Sequence, residues 1–341
     1  MFKESPLFSI IIICESWNNF LEESLKYYDK LNYLNYEIFV FSTEKINKTY
    51  KNITFIDNPL LKNNPAERRD LAIKYARGEI YAFIDDDAFP HSDWLKNAAL
   101  NFQDKTVVAV GGPGITPESA DIMEKASGWV SASLLGGFGT TFRFIPQHKR
   151  QVDDFPSMNL LVLASDFKKI GGFDSAYYPG EDTKLCLDLT KKTNKKIIYD
   201  PSTVVYHHKR SLFKKHLIQN GRYGLHRGHF ARNLPGNSRK LFYFIPSLFT
   251  IGIIIGVLLI MLSKVFPIYL FQILTRYFLS ILSIYIFLLI FNALWVFVKS
   301  KSYIIAFLTI PGVFLTHFFY GLRFIQGFFS KRMHDTYGRS E

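Results

Sequence analysis

Acid is missing from much of the second half of this chain. Between Asp200 and Asp335 there is not one Asp or Glu. That gap supplies the excess that gives the 341 residues a formal net charge of +12. A basic balance fits nucleic acid, an anionic membrane surface or a phosphorylated substrate. Here the bases cluster just ahead of long apolar runs, which favours the membrane surface. A nucleic-acid domain would spread its bases over a folded soluble face, so nucleic acid is excluded as a partner. Cysteine is scarce too. Cys14 and Cys186 each sit inside an apolar pattern, and their spacing fits no zinc site, so both read as buried free thiols. A cleavable signal is also lacking. The apolar run in "MFKESPLFSIIIICESW" is short and meets Glu15 directly, which is the pattern of a strand.

Residues 1–200 mix acids, bases and apolar residues as a soluble domain does. "FSIIIIC" (8–14), "YEIFVFS" (36–42), "ITFID" (53–57), "EIYAFID" (79–85) and "VVAVGG" (107–112) read as strands, the first a buried parallel one. Between them lie helical patterns. One carries Phe20, Leu21, Leu25 and Tyr28 on one face. Another, "PAERRDLAIKYARG" (65–78), has Pro65 near its start, Leu71, Ile73, Tyr75 and Ala76 packing, and Gly78 at its end. Ser92 is the expected N-cap of a third, running to about Asn101. This alternation predicts a doubly wound, mainly parallel α/β sheet, whose ligand lies beyond the carboxyl ends of the strands.

After Lys240 the character changes. Residues 243–263 are apolar apart from Ser and Thr, enough to cross a hydrocarbon core at about 1.5 Å per residue. The stretch Val265–Val298 predicts a second span from about Tyr277, with Arg276 at its interfacial start. Residues 303–329 form a third segment, with Pro311, His317 and Arg323. "KSKS" (299–302) and the preceding basic region face the cytoplasm under the positive-inside rule. Three spans would put Lys331 and Arg332 outside, so a re-entrant or interfacial third segment is the alternative. "YHHKRSLFKKHLIQNGRYGLHRGHFAR" (206–232) has a stripe of Leu212, Phe213, Leu217 and Tyr223 beside Lys and Arg, the pattern of an amphipathic helix at the bilayer surface.

Chemistry concentrates in "IYAFIDDDAFP" (80–90), where a strand runs into three carboxylates. Adjacent carboxylates raise one another's pKa unless a cation compensates. Asp85 and Asp87, spaced D-x-D on a turn, can reach one Mg²⁺ or Mn²⁺ ion, hard cations that take oxygen ligands and substrate phosphates. Alone, the triplet fits a solvated strand end equally well. In "GGFDSAYYPGEDTKLCLDL" (171–189) the "GED" opens a helix whose buried side is Leu185, Cys186 and Leu189. Glu181 and Asp182 then lie in its first turn, where the helix dipole favours their charged forms. Simple capping is the bland alternative. Arg69, one helix before the triplet, returns to the same sheet edge in a parallel topology and offers its charge to a diphosphate.

In their order these motifs resemble family 2 glycosyltransferases. "SIIII", "R-D-L-A-I-K-Y-A-R-G-E-I", "FIDDDAFP", "GGFD" and "GED" follow one another as in that family, over about residues 7–200. "QNGRYG" (219–224) and "HFFYG" (317–321) resemble elements of its membrane-anchored, exopolysaccharide-type branch. The resemblance implies a GT-A, Rossmann-like catalytic domain over 1–205, a basic interfacial region over 206–240 and an all-α transmembrane region over 241–330. It implies that Asp85 and Asp87 hold Mg²⁺ or Mn²⁺ against the donor diphosphate, with His207 or His208 approaching the metal. Asp86, Arg69, Ser42 and Thr43 would line the donor site, and Asp182 would be the base, with Glu181 beside it. Gln219, Arg222 and Tyr223 would contact the acceptor and diphosphate.

Four positions depart from the family. Ile13 stands where the first strand often ends in Pro, and Ser42–Thr43 where the second often ends in Asp. Asp70 replaces an Asn, and Tyr223 the Trp of the polymerising synthases. The expected activity is inverting transfer from a nucleotide sugar to a lipid-linked sugar or growing polysaccharide at the inner membrane, with the catalytic domain in the cytoplasm. The alternatives are a polyprenyl-phosphate sugar synthase, a two-metal phosphotransferase, and a non-catalytic assembly protein with a degenerate domain.

Overall fold

The computed structural model describes residues 5–61, 64–178, 180–266 and 268–330. Its elements in chain order are β1 (Phe8–Ile13), α1 (Asn19–Tyr28), β2 (Tyr36–Ser42), β3 (Ile53–Asp57), α2 (Pro65–Tyr75), β4 (Ile80–Asp85), β5 (Ala88–Pro90), α3 (Trp94–Asn101), β6 (Val107–Gly111), β7 (Gly114–Ile115), α4 (Ile122–Ala132), α5 (Leu134–Gly137), β8 (Arg150–Val152), β9 (Asn159–Leu163), α6 (Ala164–Ile170), α7 (Glu181–Thr193), β10 (Lys196–Tyr199) and β11 (Val205–His207). They continue as α8 (Lys214–Asn233), α9 (Pro235–Ser238), α10 (Leu241–Val265), α11 (Tyr269–Ser300) and α12 (Tyr303–Phe329). Two compact units result. One takes the chain up to Pro117 and again over Phe142–His208; the other takes Glu118–Thr141 and everything from Lys209.

The first unit is built on an eight-stranded sheet in the order β3-β2-β1-β4-β9-β6-β10-β8. Strands β3, β2, β1 and β4 are parallel, with Ile13 level with Asp85. Strand β9, "NLLVL", runs antiparallel between β4 and β6 and is buried along its whole length. Its short apolar run was the available signal, but without alternation such a run does not tell strand from helix. Apolar side chains cover both faces of the sheet, Trp94, Leu95 and Ala98 on one and Phe167, Leu185 and Leu189 on the other. Both cysteines are buried and free, and burial, with Asp86 nearby, pushes the Cys14 thiol up to about 12. A second, three-stranded sheet, β5-β11-β7, pairs β11 antiparallel with β5 so that His207 lies opposite Ala88.

Local expectations need correction in three places. Helix α3 starts at Trp94 with Asp93 at its N-cap, not Ser92, and the Asp93 N–H donates to His91 Nδ1 at 3.2 Å. Helix α2 ends at Tyr75 and buries Ala66, Arg68, Arg69 and Ala72, leaving Ile73 and Tyr75 exposed. The small alanines let it lie close to the sheet, and its arginines turn inward, Arg69 to carboxylates and Arg68 to the Cys14 carbonyl. In α1, Ser24 takes the place of Phe20 on the buried face, and Phe20 faces the ring of His208 at 4.8 Å.

In the second unit α10, α11 and α12 are long and apolar enough to cross a membrane. Helix α11 begins before Arg276, which lies inside it, and α12 is one continuous helix through Pro311 rather than a broken re-entrant segment. Lys331 and Arg332 lie outside the described residues. Helix α8 packs along α12 through glycine, while Leu212 and Phe213 of the expected stripe lie just before it in a cluster with Val313. A Cβ at Gly224 would meet the Tyr320 carbonyl oxygen at 2.4 Å, and Tyr223 is exposed. Buried polar groups cross-link the helices. His216 bonds the Ser127 hydroxyl at 2.7 Å and the Thr316 hydroxyl at 2.9 Å. His317 contacts the Tyr285 hydroxyl and the Leu135 carbonyl, and the Asn292 side chain accepts from the Leu135 N–H. Each polar atom so paired avoids the cost of burial without a partner.

Candidate active site

Strand β4 delivers Asp85 to the carboxyl edge of the sheet, and the chain then turns through Asp86 and Asp87 into β5. The Asp86 carboxylate is held by Asn18, whose Nδ2 donates to it at 2.7 Å while its Oδ1 caps α1 at Leu21. Burial, and then its neighbour Asp87, push the Asp86 carboxyl up to about 6. The β5–β11 pairing brings His207 in, with Nε2 at 3.1 Å from Asp87 Oδ1. Single ligand atoms of Asp85, Asp87 and His207 all lie within 4.8 Å of one another. Ligands of one hard divalent ion stand about 4–5 Å apart at most, so these three side chains fit such an ion. His208 is not part of this group. Side chains alternate along a strand, and His208 points away, with Nε2 at 3.1 Å from Glu23.

Arg69 joins this edge to the start of α7. Its Nη2 donates to Asp85 and its Nη1 to Glu181, both at 3.0 Å. Burial works against the Arg69 charge, but Asp85, Glu181 and Asp182 outweigh it and hold the guanidinium more firmly protonated. Gly180, at φ 145°, adopts a backbone conformation that favours glycine, and its N–H donates to the other Glu181 oxygen at 2.8 Å. Glu181 is therefore fully engaged. Among the described residues Asp182 accepts from backbone alone, the Ser157 N–H at 3.3 Å and the Thr183 N–H at 2.9 Å, and keeps partial solvent access. Burial pushes its carboxyl up to about 7, with Glu181 and Asp154 adding to the rise.

Two acids that sequence reasoning passed over or left unexplained support this edge. Asp154 accepts from the Thr183 hydroxyl at 3.0 Å and from Arg143 at 3.1 Å, so it anchors the first turn of α7. Its sequence signal, "DDFP", had no periodic pattern to mark it. Asp70, the unexplained departure from Asn, accepts from the Phe173 N–H at 2.8 Å and ties α2 to the "GGFD" turn. Burial raises its carboxyl to about 7.

Other expected contacts are placed differently. Ser42 and Thr43 are buried, and their hydroxyls donate to the carbonyls of Glu44 and Glu15, both at 2.8 Å. Arg69, expected to face a diphosphate, is spent on two carboxylates. Gln219, Arg222 and Tyr223 lie on α8 in the second unit, the last two exposed.

Residues 9–170 match the family model described as glycosyl transferase family 2. The matched stretch is just under half of the chain, and over it the chain is similar to that family. Two curated proteins share parts of this domain. A pre-mycofactocin glycosyltransferase of Mycobacterium tuberculosis is 25% identical over 163 residues, 47% of this chain and 33% of that protein. A glucosyl-dolichyl phosphate glucuronosyltransferase of Haloferax volcanii is 22% identical over 183 residues, 48% of this chain and 55% of that protein. The chain thus spans about a third and about half of the length of these two relatives. Among solved structures, a mannosyltransferase of Pyrobaculum calidifontis, in complex with GDP-Man and Mn²⁺, aligns with a TM-score of 0.49 at 19% identity, over 68% of this chain and 65% of that one. In this chain the acidic turn, inside the matched residues, and the "GED" helix start, just beyond them, share one arginine.

Proposed function

We propose that this protein is an inverting, metal-dependent glycosyltransferase that moves a sugar from a nucleotide-sugar donor to a lipid-linked acceptor at a membrane. The observation that carries the reading is the convergence of Asp85, Asp87 and His207 on one edge, tied through Arg69 to the helix start that bears Asp182. Asp85, Asp87 and His207 would hold Mg²⁺ or Mn²⁺. Bound there, the ion supplies positive charge to the departing diphosphate, so no protein acid is needed on the leaving group.

Asp182 is the acceptor's base. Its neighbour Glu181 already takes Arg69 and the Gly180 N–H, whereas Asp182 keeps partial solvent access and a raised affinity for protons. One base and no assigned carboxylate nucleophile correspond to single displacement with inversion. Three apolar helices and an acid-free basic stretch support a membrane acceptor, with the domain on the cytoplasmic side where positive loops stay. The name of the Haloferax volcanii relative, whose acceptor is a sugar on dolichyl phosphate, supports a lipid-linked sugar rather than a bare polyprenyl phosphate. Gln219 and Arg222 are proposed acceptor contacts.

The test supplies labelled nucleotide sugars and Mn²⁺ to the full-length protein in membranes carrying lipid-linked acceptors, followed by solvent extraction. A lipid-linked oligosaccharide with inverted linkage is expected, and Asp182→Asn should abolish it while donor binding persists. Undiminished transfer by Asp182→Asn removes Asp182 from this role. A lipid carrying a single sugar on a monophosphate would instead indicate the polyprenyl-phosphate synthase.

A further inference from the structure

The adjacent arginines of α2 have unequal surroundings. Arg69 is neutralised by Asp85 and Glu181. Arg68 is 3% exposed, and no ion pair reaches it among the described residues. Its Nη1 donates to the carbonyl of Cys14, just past β1, and its buried Nε–H has no hydrogen-bond partner among the described residues. Burial loosens its proton, and Glu15, acting from beyond ion-pair distance, only partly offsets this while Arg69 adds to it. A buried guanidinium without a counter-ion is costly to the folded state. Such a cost persists where a ligand supplies the missing charge.

The location indicates which ligand. Arg68 abuts the carboxyl end of β1, flanked in the sheet by β2 and β4, where the strand order reverses. Ligands of open α/β sheets bind at that switch point. The neighbouring hydroxyls of Ser42 and Thr43 are already spent, whereas among the described residues the Arg68 Nε–H at this end of β1 remains an unsatisfied donor.

We propose that Arg68 anchors the diphosphate of the donor, and that Arg69 is a positioning residue that holds Asp85 and Glu181 together. This rests on the nucleotide-sugar reading above and adds to it the residue that binds the donor's charge. A planar fork of N–H donors matches phosphate oxygens better than a point charge does.

The experiment uses the full-length protein in detergent with Mn²⁺. Binding of UDP, GDP, their nucleosides and inorganic pyrophosphate is measured by calorimetry, and melting without ligand by intrinsic fluorescence. Arg68→Gln should weaken the preferred nucleoside diphosphate by about 10- to 100-fold, the range of a lost charged hydrogen-bonding group. It should leave nucleoside binding unchanged, and Arg68→Lys should fall between. Without ligand, Arg68→Gln should melt at or above the wild-type temperature, because the variant removes an unpaired buried charge. Nucleoside diphosphate binding by Arg68→Gln as tight as wild type overturns the assignment. So does a lower melting temperature with unchanged affinity, which marks a purely structural arginine. So does weakening of pyrophosphate alone, which points to a diphosphate from the acceptor. If the wild type binds no nucleoside diphosphate, the donor class proposed above fails, and the role of Arg68 fails with it.

Discussion

Arg69→Met removes one guanidinium and strands two carboxylates. The Glu181 side chain is 7% exposed and the Asp85 side chain 29% exposed, so water can relieve Asp85 but hardly Glu181. Breaking a buried pair from one side costs about 3–5 kcal/mol, because the remaining charge is left without compensation. The Asp85 arm adds little, since partly exposed pairs contribute about 0–1 kcal/mol. For a unit of this size each kcal/mol moves the melting temperature by about 2–4 °C, so the expected drop is about 6–20 °C. The second mutation gives the sharper reading. Glu181→Gln in the Arg69→Met background removes the stranded charge and should recover most of the loss, a coupling of about 2 kcal/mol or more. Melting of the purified full-length protein, followed by intrinsic fluorescence, measures all four members of the cycle. A single-variant drop of under about 2 °C, or a double variant no more stable than the single one, would refute the argument that a buried bridge ties α7 to the acidic turn.

Three further outcomes follow from the same geometry. Asp182 must be ionised to accept a proton, and its carboxyl is raised to about 7, so transfer should fall about tenfold per pH unit below about 7; Asp154→Asn, which removes a like charge, should move that limb to lower pH, and an unmoved limb excludes the coupling. Asp70 is raised to about 7 in the fold, against about 3.9 unfolded, so the folded state binds the extra proton and stability falls as pH rises from about 4 to about 7. Asp70→Asn keeps an acceptor for the Phe173 N–H without the charge; it should melt above wild type at pH 8, with the gap narrowing toward pH 4, and a gap independent of pH excludes the mechanism. His207→Ala should raise the Mn²⁺ concentration needed for half-maximal donor turnover by about tenfold or more, as loss of a metal ligand's contribution does; His208→Ala should not, and the reverse result moves the ligand back to His208.

Much of the scaffold was legible because hydrophobic pattern and secondary structure share a period. The runs at 36–42 and 53–57 are strands with those limits, and α7 buries Leu185, Cys186 and Leu189 as its spacing requires. The three membrane-length helices follow from length and apolarity alone, since an uninterrupted apolar stretch has few other stable states. Elsewhere the pattern ran out. Strand β9 has no alternation, because both its faces are buried. The packing face of α8 carries glycine, which no hydrophobicity count detects.

By itself the sequence determined that a parallel α/β sheet presents three carboxylates at a strand end, that a helix opens on Glu181 and Asp182, and that the stretch between Asp200 and Asp335 is free of acid and carries long apolar runs. These are local properties of composition and period. Only the tertiary structure decided which histidine faces Asp87, which arginine neutralises Asp85, and which has no ion pair among the described residues. Neighbours in a chain share composition but not direction. His207 and His208 diverge because strand side chains alternate, and Arg68 and Arg69 diverge because adjacent helical residues point about 100° apart.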